Sequence, residues 1–228
     1  MTRPHIHRLV STVLGAVVMA ACSGSQAVAR QNPAAVTQPA GADSAAVARA
    51  RADSVRHPYT EADIRFMSGM IHHHAQAIVM ARWAPTHDAS PRVQTLAKRI
   101  INAQQDEIVT MQHWLQDRGQ PVPEARATGI KMMVDGVEQE VLMPGMLTPD
   151  QMHELDQARG TEFDQLFLLY MIMHHRGGVT MVQNLFGTYG AGQDELTFKL
   201  ASDINADQTI EIARMKKMLA VPTSPQRN

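Results

Sequence analysis

Cysteine is nearly absent from this sequence, and aromatic residues are scarce. A single cysteine, Cys22, excludes a disulfide bond within the chain and any zinc or iron–sulfur site held by several thiolates. The net charge of -1 gives no basic excess of the kind that nucleic-acid binding requires, so no nucleic-acid partner is predicted. Aromatic residues make up 4% of the 228 positions, which disfavours a sheet-rich protein because strands are enriched in them.

Methionine, by contrast, is abundant, with 16 residues. A core that is rich in methionine and poor in aromatic residues fits helices better than sheets. The thioether groups also provide soft ligands for a metal ion. The chain is long enough for one domain with a substantial core.

The N-terminus has the features of an export signal. Basic residues precede an apolar run from Leu9 to Ala21, which is too short to span a bilayer comfortably. The run ends in Met-Ala-Ala before Cys22, a pattern similar to a bacterial lipobox, in which the cysteine carries the lipid. We therefore predict a signal peptide of lipoprotein type over residues 1–22. Cleavage after Ala29, which would discard Cys22, remains the alternative.

The segments that flank the predicted domain are poor in apolar periodicity. Residues 23–57 are rich in Ala, Gln, Ser and Pro, which predicts a flexible linker. Residues 222–228 are predicted to be a disordered tail. The mature protein is thus expected to be exported, either periplasmic or anchored at the cell envelope, with no membrane contact except through the lipid.

A sequence repeat organises residues 58–221. A shift of 101 residues aligns Asp63, Phe66, Met70, Ile71, His73, His74 and Met80 with Asp164, Phe167, Met171, Ile172, His174, His175 and Met181. A shift of 104 aligns Leu96, Ile100, Gln104, Glu107, Ile108, Met111 and Leu115 with Leu200, Ile204, Gln208, Glu211, Ile212, Met215 and Leu219. The repeat predicts two related helical hairpins.

Capping residues indicate where the helices begin. Thr60 and Thr161 each begin Thr-x-x-Asp, and Ser90 and Thr148 each precede a proline. The predicted helices span about 61–84, 91–117, 162–186 and 194–219, with a short one at 149–158 and an irregular crossover at 120–147. The predicted fold is all-α: a ferritin-like four-helix bundle built from two repeated hairpins joined by a long crossover.

Polar residues fall inside the apolar stripes of the predicted helices. When successive residues are placed about 100° apart, paired histidines and single carboxylates face inward in both halves of the repeat. Buried carboxylates are costly unless they are paired or bind a metal ion. The predicted metal ligands are Met70, His73, His74, Met80, Glu107, Met171, His174, His175, Met181 and Glu211, with Gln104 and Gln208 supporting them.

The predicted donors favour copper. Di-iron bundles use Glu-x-x-His on two helices, whereas Met70-x-x-His73 and Met171-x-x-His174 occupy those positions here. Imidazole with thioether suits copper, especially Cu(I), while iron, manganese or zinc remain alternatives. The carboxylates and amides are either ligands or partners of the second histidine nitrogen. The methionines of the crossover (Met132, Met133, Met143, Met146 and Met152) form either a further soft-metal surface or simple packing.

At these motifs the chain resembles the bacterial domain-of-unknown-function 305 family. The similarity spans about residues 60–219 and includes Met143-Pro-Gly-Met, Thr148-Pro-Asp-Gln-Met and Met171-Ile-Met-His-His. It implies a ferritin-like helical fold, and some members are implicated in copper binding or tolerance. Gly177-Gly178 stands where Gly-Ala is common, a difference expected to affect packing rather than the ligands.

Three functional hypotheses follow. The first is an envelope protein that sequesters or transfers copper, and the second is a ferritin-like redox enzyme with two metal ions. The third is a structural or partner-binding bundle without metal. No nucleophile–base pattern is evident, which favours a protein that is not an enzyme. A metal ion is the expected partner, and the sequence leaves a homo-oligomer open.

Overall fold

The computed structural model describes residues 59–220. The predicted signal peptide with Cys22, the linker 23–57 and the tail 222–228 lie outside the described residues, as do positions 58 and 221 of the predicted domain. Within the described part, no helix combines the length and the apolar character needed to cross a membrane.

Residues 59–220 are mostly helical. The elements are α1 (Glu61–Trp83), α2 (Pro91–Asp117), β1 (Ile130–Val134), β2 (Val137–Val141), α3 (Pro149–Gln157), α4 (Gly160–Gly187) and α5 (Glu195–Ala220). Each helix begins and ends within two residues of its predicted bounds. The prediction of a predominantly helical chain is confirmed.

The crossover is not irregular throughout, and the all-α prediction is wrong at this point. Strands β1 and β2 pair antiparallel, with Ile130 opposite Val141. Asp135 and Gly136 connect them with φ angles of 51° and 80°. Two positive φ angles in a two-residue loop are typical of a type I′ turn, for which Asp-Gly is a preferred sequence. The Asp-Gly pair is therefore a hairpin signal in the sequence itself.

Capping was predicted correctly at three of four helix starts. Thr60 forms a capping box with Asp63, and Ser90 and Thr148 cap the helices that follow them. The cap predicted at Thr161 is wrong, because α4 already begins at Gly160 and its N-cap residue makes no side-chain hydrogen bond.

Two aspartates join one hairpin to the other. Helix α1 packs on α2, α4 packs on α5, and α1 contacts α4. Asp63 Oδ1 accepts a hydrogen bond from the Gly192 amide, 2.7 Å away, in the loop between α4 and α5. Asp164 Oδ1 correspondingly accepts from the Ser90 amide, 3.0 Å away, in the loop between α1 and α2. These equivalent bonds show that the repeated sequence produces a repeated geometry.

The apolar core is divided into two clusters. One contains Phe66, Met67 and Met70 from the start of α1, together with the end of α4. The other contains the end of α1 with Phe163 and Phe167 from the start of α4. Helices α1 and α4 therefore run antiparallel across both clusters. The paired histidines fall between the two apolar clusters.

Removing the Asp164 bond should weaken the contact between the hairpins. Asp164 is 6% exposed, so an Asp164→Ala substitution leaves the Ser90 amide without its partner in a buried place. We expect the free energy of unfolding to fall by about 1–3 kcal/mol, measured by urea denaturation. Asp203→Ala is the control, because Asp203 is exposed and bonds to Lys199 on the surface. Equal stability of both variants would show that the bond contributes nothing.

Candidate metal centre

Four histidines meet in the middle of the molecule. Helix α1 supplies His73 and His74, helix α4 supplies His174 and His175, and all four are 0% exposed. The ring centroids of His73 and His174 lie 3.8 Å apart. Within each pair the centroids are 6.2 and 6.3 Å apart. The structure therefore brings the predicted histidines together. The neighbouring His72 lies apart from them, with its Nδ1 bonded to the Arg126 carbonyl.

Each histidine pair is bound by one glutamate of the adjoining helix. His74 Nε2 donates to Glu107 Oε2 at 2.7 Å, and His175 Nε2 donates to Glu211 Oε2 at the same distance. The glutamate side chains are 17% and 13% exposed, so they lie between the histidines and the solvent. These bonds fix the orientation of two imidazole rings in equivalent ways.

Acceptor groups also determine which ring nitrogen carries the proton. A carboxylate can only accept, so a neutral His74 or His175 carries its proton on Nε2 and its lone pair on Nδ1. His73 Nε2 donates to the Pro144 carbonyl at 3.1 Å, which leaves the lone pair on Nδ1 there as well. In its neutral form, each of these three imidazoles presents an unprotonated Nδ1 inside the protein.

Several buried polar atoms at this centre have no protein partner. They are Nδ1 of His73, His74, His174 and His175, Nε2 of His174, Oε1 of Gln104, and both amide atoms of Gln208. A buried polar atom without a partner costs about 1–3 kcal/mol. Such a concentration is typical of a site that binds a further group. Lone pairs on neutral imidazoles fit a transition-metal ion.

Burial keeps the central histidines neutral. It lowers the pKa of His73 from 6.5 to about 3, with help from the charges of His74 and His175 and against the hydrogen bond to Pro144. Burial, followed by the charge of His73, holds the pKa of His174 well below its usual range. The two central rings are therefore neutral at neutral pH, the form that binds metal ions.

Methionines flank the histidines on both sides. Met70 and Met181 belong to one apolar cluster, and Met80 and Met171 belong to the other. Met70, Met80 and Met171 are fully buried and Met181 is 8% exposed. The predicted thioethers therefore lie in the core at both ends of the histidine layer.

The crossover methionines do not form one surface. Met132 and Met133 are exposed on the β-hairpin, at 43% and 69%, whereas Met146 is buried. Met143 packs against the cluster that contains Met70, and Met152 packs against the other cluster. Packing thus accounts for three of these residues, and two remain available to solvent.

The two glycines on α4 shape the surroundings of the histidines. A Cβ atom at Gly178 would lie 2.2 Å from Gln208 Oε1, and one at Gly177 would lie 1.8 Å from the Pro144 carbonyl oxygen. Both glycines therefore permit close approach of groups that line the centre. At Gly178, Gln208 fills the space that an alanine side chain would occupy.

Two contributors to the site were missed in the sequence. Gln76 is 1% exposed and bonds through its amide to the main chain of Leu147, at 3.0 Å from Nε2 and 2.7 Å to Oε1. Its signal was available, since it is a polar residue within an apolar stripe. The Pro144 carbonyl had no such signal, because every residue has a main-chain oxygen and the residue type does not indicate which one accepts a hydrogen bond.

An exposed acid lies near the two glutamates. Partial burial and then the charges of Glu107 and Glu211 raise the pKa of Asp207. Glu107 and Glu211 therefore share one acidic region of the surface between α2 and α5. Among residues 59–220, no three His, Cys, Asp or Glu side chains converge on a single point as ready-made metal ligands. The methionine thioethers are a separate class of donor.

Comparison with known proteins identifies the family. Residues 63–219 match the domain of unknown function DUF305, which is more than half of the chain. The chain therefore belongs to the DUF305 family, as the sequence resemblance implied. A mimivirus protein, L153 of Acanthamoeba polyphaga mimivirus, is 41% identical over 56 residues. That match covers 25% of this chain and 37% of the viral protein, so the chain matches little more than a third of that relative.

Solved structures share the fold. A DUF305 protein from Streptomyces coelicolor, described as a candidate secreted protein, is 29% identical. It covers 70% of this chain and 91% of its own, with a TM-score of 0.57. CopM in its Cu(II)-bound form is 33% identical, covering 69% of this chain and 95% of its own, with a TM-score of 0.54. CopM also has structures with Cu(I) and with silver bound.

The pKa of His73 predicts how the stability of the metal-free protein depends on pH. The unfolded chain binds a proton at this residue near pH 6.5 and the folded chain only near pH 3. The stability that depends on a neutral His73 is therefore fully present above the pKa of the unfolded chain. It is lost as the pH falls toward the pKa of the folded chain.

Over that window the free energy of unfolding should fall by about 1.4 kcal/mol per pH unit for this group. We expect a His73→Leu variant to show a shallower dependence in urea denaturation between about pH 6 and pH 4. Identical slopes for both proteins would contradict the prediction.

Proposed function

We propose that this protein binds copper in the cell envelope and sequesters or transfers it. The metal site lies inside a ferritin-like four-helix bundle formed by the two hairpins. The N-terminal signal and the lipid on Cys22 deliver the protein to the envelope. Its partner is the metal ion, and no catalytic role is assigned.

The observation that carries this proposal is the cluster of buried imidazole nitrogens without protein partners. Such atoms are costly, and burial holds the pKa of His73 and His174 below the usual range, so a second proton does not satisfy these rings at neutral pH. A metal ion would accept their lone pairs. CopM, a relative of similar fold, has structures with copper bound, which supports the choice of metal.

The proposed ligands are the histidines and the flanking methionines. Imidazole nitrogens would come from His73, His74, His174 and His175, no more than two of them to any one ion in the arrangement present. Thioethers would come from Met70, Met80, Met171 and Met181. Glu107 and Glu211 bond to Nε2 of a histidine in the structure, which favours an orienting role over direct ligation. Gln104 and Gln208 are buried, with amide atoms that have no protein partner, and would complete the polar surroundings.

The softness of these donors favours Cu(I). Thioethers and neutral imidazoles suit copper better than iron, manganese or zinc, which prefer harder or more charged ligands in such bundles. Bound Cu(I) would supply the electrophile that accepts the buried lone pairs.

A titration with Cu(I) against a competing chelator tests the site. The His73→Ala and His174→Ala double variant should bind more weakly by more than about 100-fold, since losing even an orienting partner of a ligand costs 10–100-fold. The matched control replaces His113 and His153, which are both exposed. Equal affinity of the two double variants would remove the assignment.

Metal binding to the native state alone should also stabilise the fold. At a free Cu(I) concentration about 100 times the Kd, the free energy of unfolding should rise by about 2.7 kcal/mol. Urea denaturation with Cu(I) and with a chelator measures this difference. No difference would favour a bundle without metal. Iron or manganese in protein from unsupplemented cells, found by elemental analysis, would instead favour a redox enzyme of ferritin type.

A further inference from the structure

The crossover passes close to the histidines at residues 143–147, which we call the strap. Gly145 has a φ angle of 78°, and a Cβ atom there would lie 2.6 Å from the Met173 carbonyl oxygen. A Cβ atom at Gly177 would lie 1.8 Å from the Pro144 carbonyl oxygen. The main chain of the strap therefore touches the main chain of α4, a contact that only glycine permits.

A glutamine fixes the end of the strap to α1. Gln76 donates to the Leu147 carbonyl at 3.0 Å and accepts from the Leu147 amide at 2.7 Å. Both bonds are buried, and Gln76 also lies one turn beyond the first histidine pair. The strap is thereby held against both central helices.

The strap makes a hydrogen bond to a histidine in the first half of the repeat but not to its equivalent in the second half. The Pro144 carbonyl accepts a hydrogen bond from His73 Nε2, so His73 keeps its lone pair on Nδ1. His174 is the equivalent residue of the second half. Neither of its nitrogens makes a well-aligned hydrogen bond, although the main chain of His73 is near enough to affect its pKa. The strap therefore sets the tautomer of one histidine and leaves the other undetermined.

The strap also brings a further thioether to the first half. Met143 Sδ lies 3.0 Å from the position that a Cβ at Gly69 would take, and Met181 Cε lies 3.4 Å from it. Gly69 precedes His73 by one helical turn, so both methionine side chains pack on α1 one turn from that histidine. Tyr170 occupies the equivalent position of the second half, and its hydroxyl bonds to Glu154 instead.

We propose that the strap makes the two halves unequal as metal sites. The Pro144 carbonyl holds His73 in the Nε2–H tautomer, so that Nδ1 faces the metal, and Met143 is an additional thioether ligand of that half alone. This inference rests on the proposed copper function for its ligand part, whereas the tautomer part concerns the metal-free protein.

The tautomer can be measured in the full-length chain without metal. Long-range ¹H–¹⁵N correlation spectra should show His73 with its proton on Nε2. In a Gly177→Ala variant the new Cβ displaces the Pro144 carbonyl, and we expect a mixture of both tautomers. Cu(I) affinity should fall about 10- to 100-fold in the same variant.

Gly187→Ala is the matched control on the same helix, because no heavy atom lies within 4 Å of its Cβ position. A wild-type His73 with its proton on Nδ1 would overturn the role of the strap, and this result does not require the variant to fold. An unchanged tautomer and affinity in folded Gly177→Ala would overturn it equally.

The thioether is tested by X-ray absorption at the copper edge with one equivalent of Cu(I). Met143→Leu should remove one sulfur neighbour of copper, whereas Met133→Leu, at a position 69% exposed, should remove none. An unchanged sulfur count in Met143→Leu would exclude Met143 as a ligand. Absence of Cu(I) binding to the wild-type chain would overturn the proposed function together with this ligand, while the tautomer measurement would still decide the role of the strap.

Discussion

The burial of four imidazoles between two apolar clusters is the constraint on which the rest of this structure depends. Glu107 and Glu211 satisfy one nitrogen in each half, and the Pro144 carbonyl satisfies one more. The remaining nitrogens have no protein partner. Each such atom costs about 1–3 kcal/mol, and the net stability of a domain is only about 5–15 kcal/mol. A layer of this kind persists because the apolar clusters on either side are extensive.

Duplication explains how such a layer arises, and the crossover explains why its symmetry is broken. Asp63 and Asp164 make equivalent bonds between the hairpins, and the two histidine–glutamate pairs have equal distances. The chain passes from one hairpin to the other only once, so residues 143–147 can contact only one of two equivalent places. The asymmetry of the site therefore follows from the connection, together with the helix residues that differ between the halves where the connection passes, such as Gln76 and Gly177.

The helices and the convergence of the histidines could be predicted because their signals are local or repeated. The capping residues Thr60 and Ser90 mark where two helices begin. The inward histidines occur twice, 101 residues apart, so the repeat itself indicates that they share a role. The β-hairpin was missed although its turn, Asp135-Gly136, is a local signal. The position of the strap could not be predicted, because it depends on contacts between distant main-chain atoms. The cap at Thr161 failed because α4 begins one residue earlier, at Gly160, so Thr161 already lies inside the helix.

The same burial that keeps His73 neutral also limits which ion the proposed site can hold. A charge in a low-dielectric interior is costly unless nearby groups compensate it. Neutral imidazoles and thioethers add no charge of their own, so a bound Cu(I) ion would carry a single positive charge into the core. Glu107 and Glu211 provide negative charge one ring away, on the solvent side of His74 and His175. A dication of the ferritin type would require carboxylates among the ligands themselves, and methionine occupies those positions on α1 and α4.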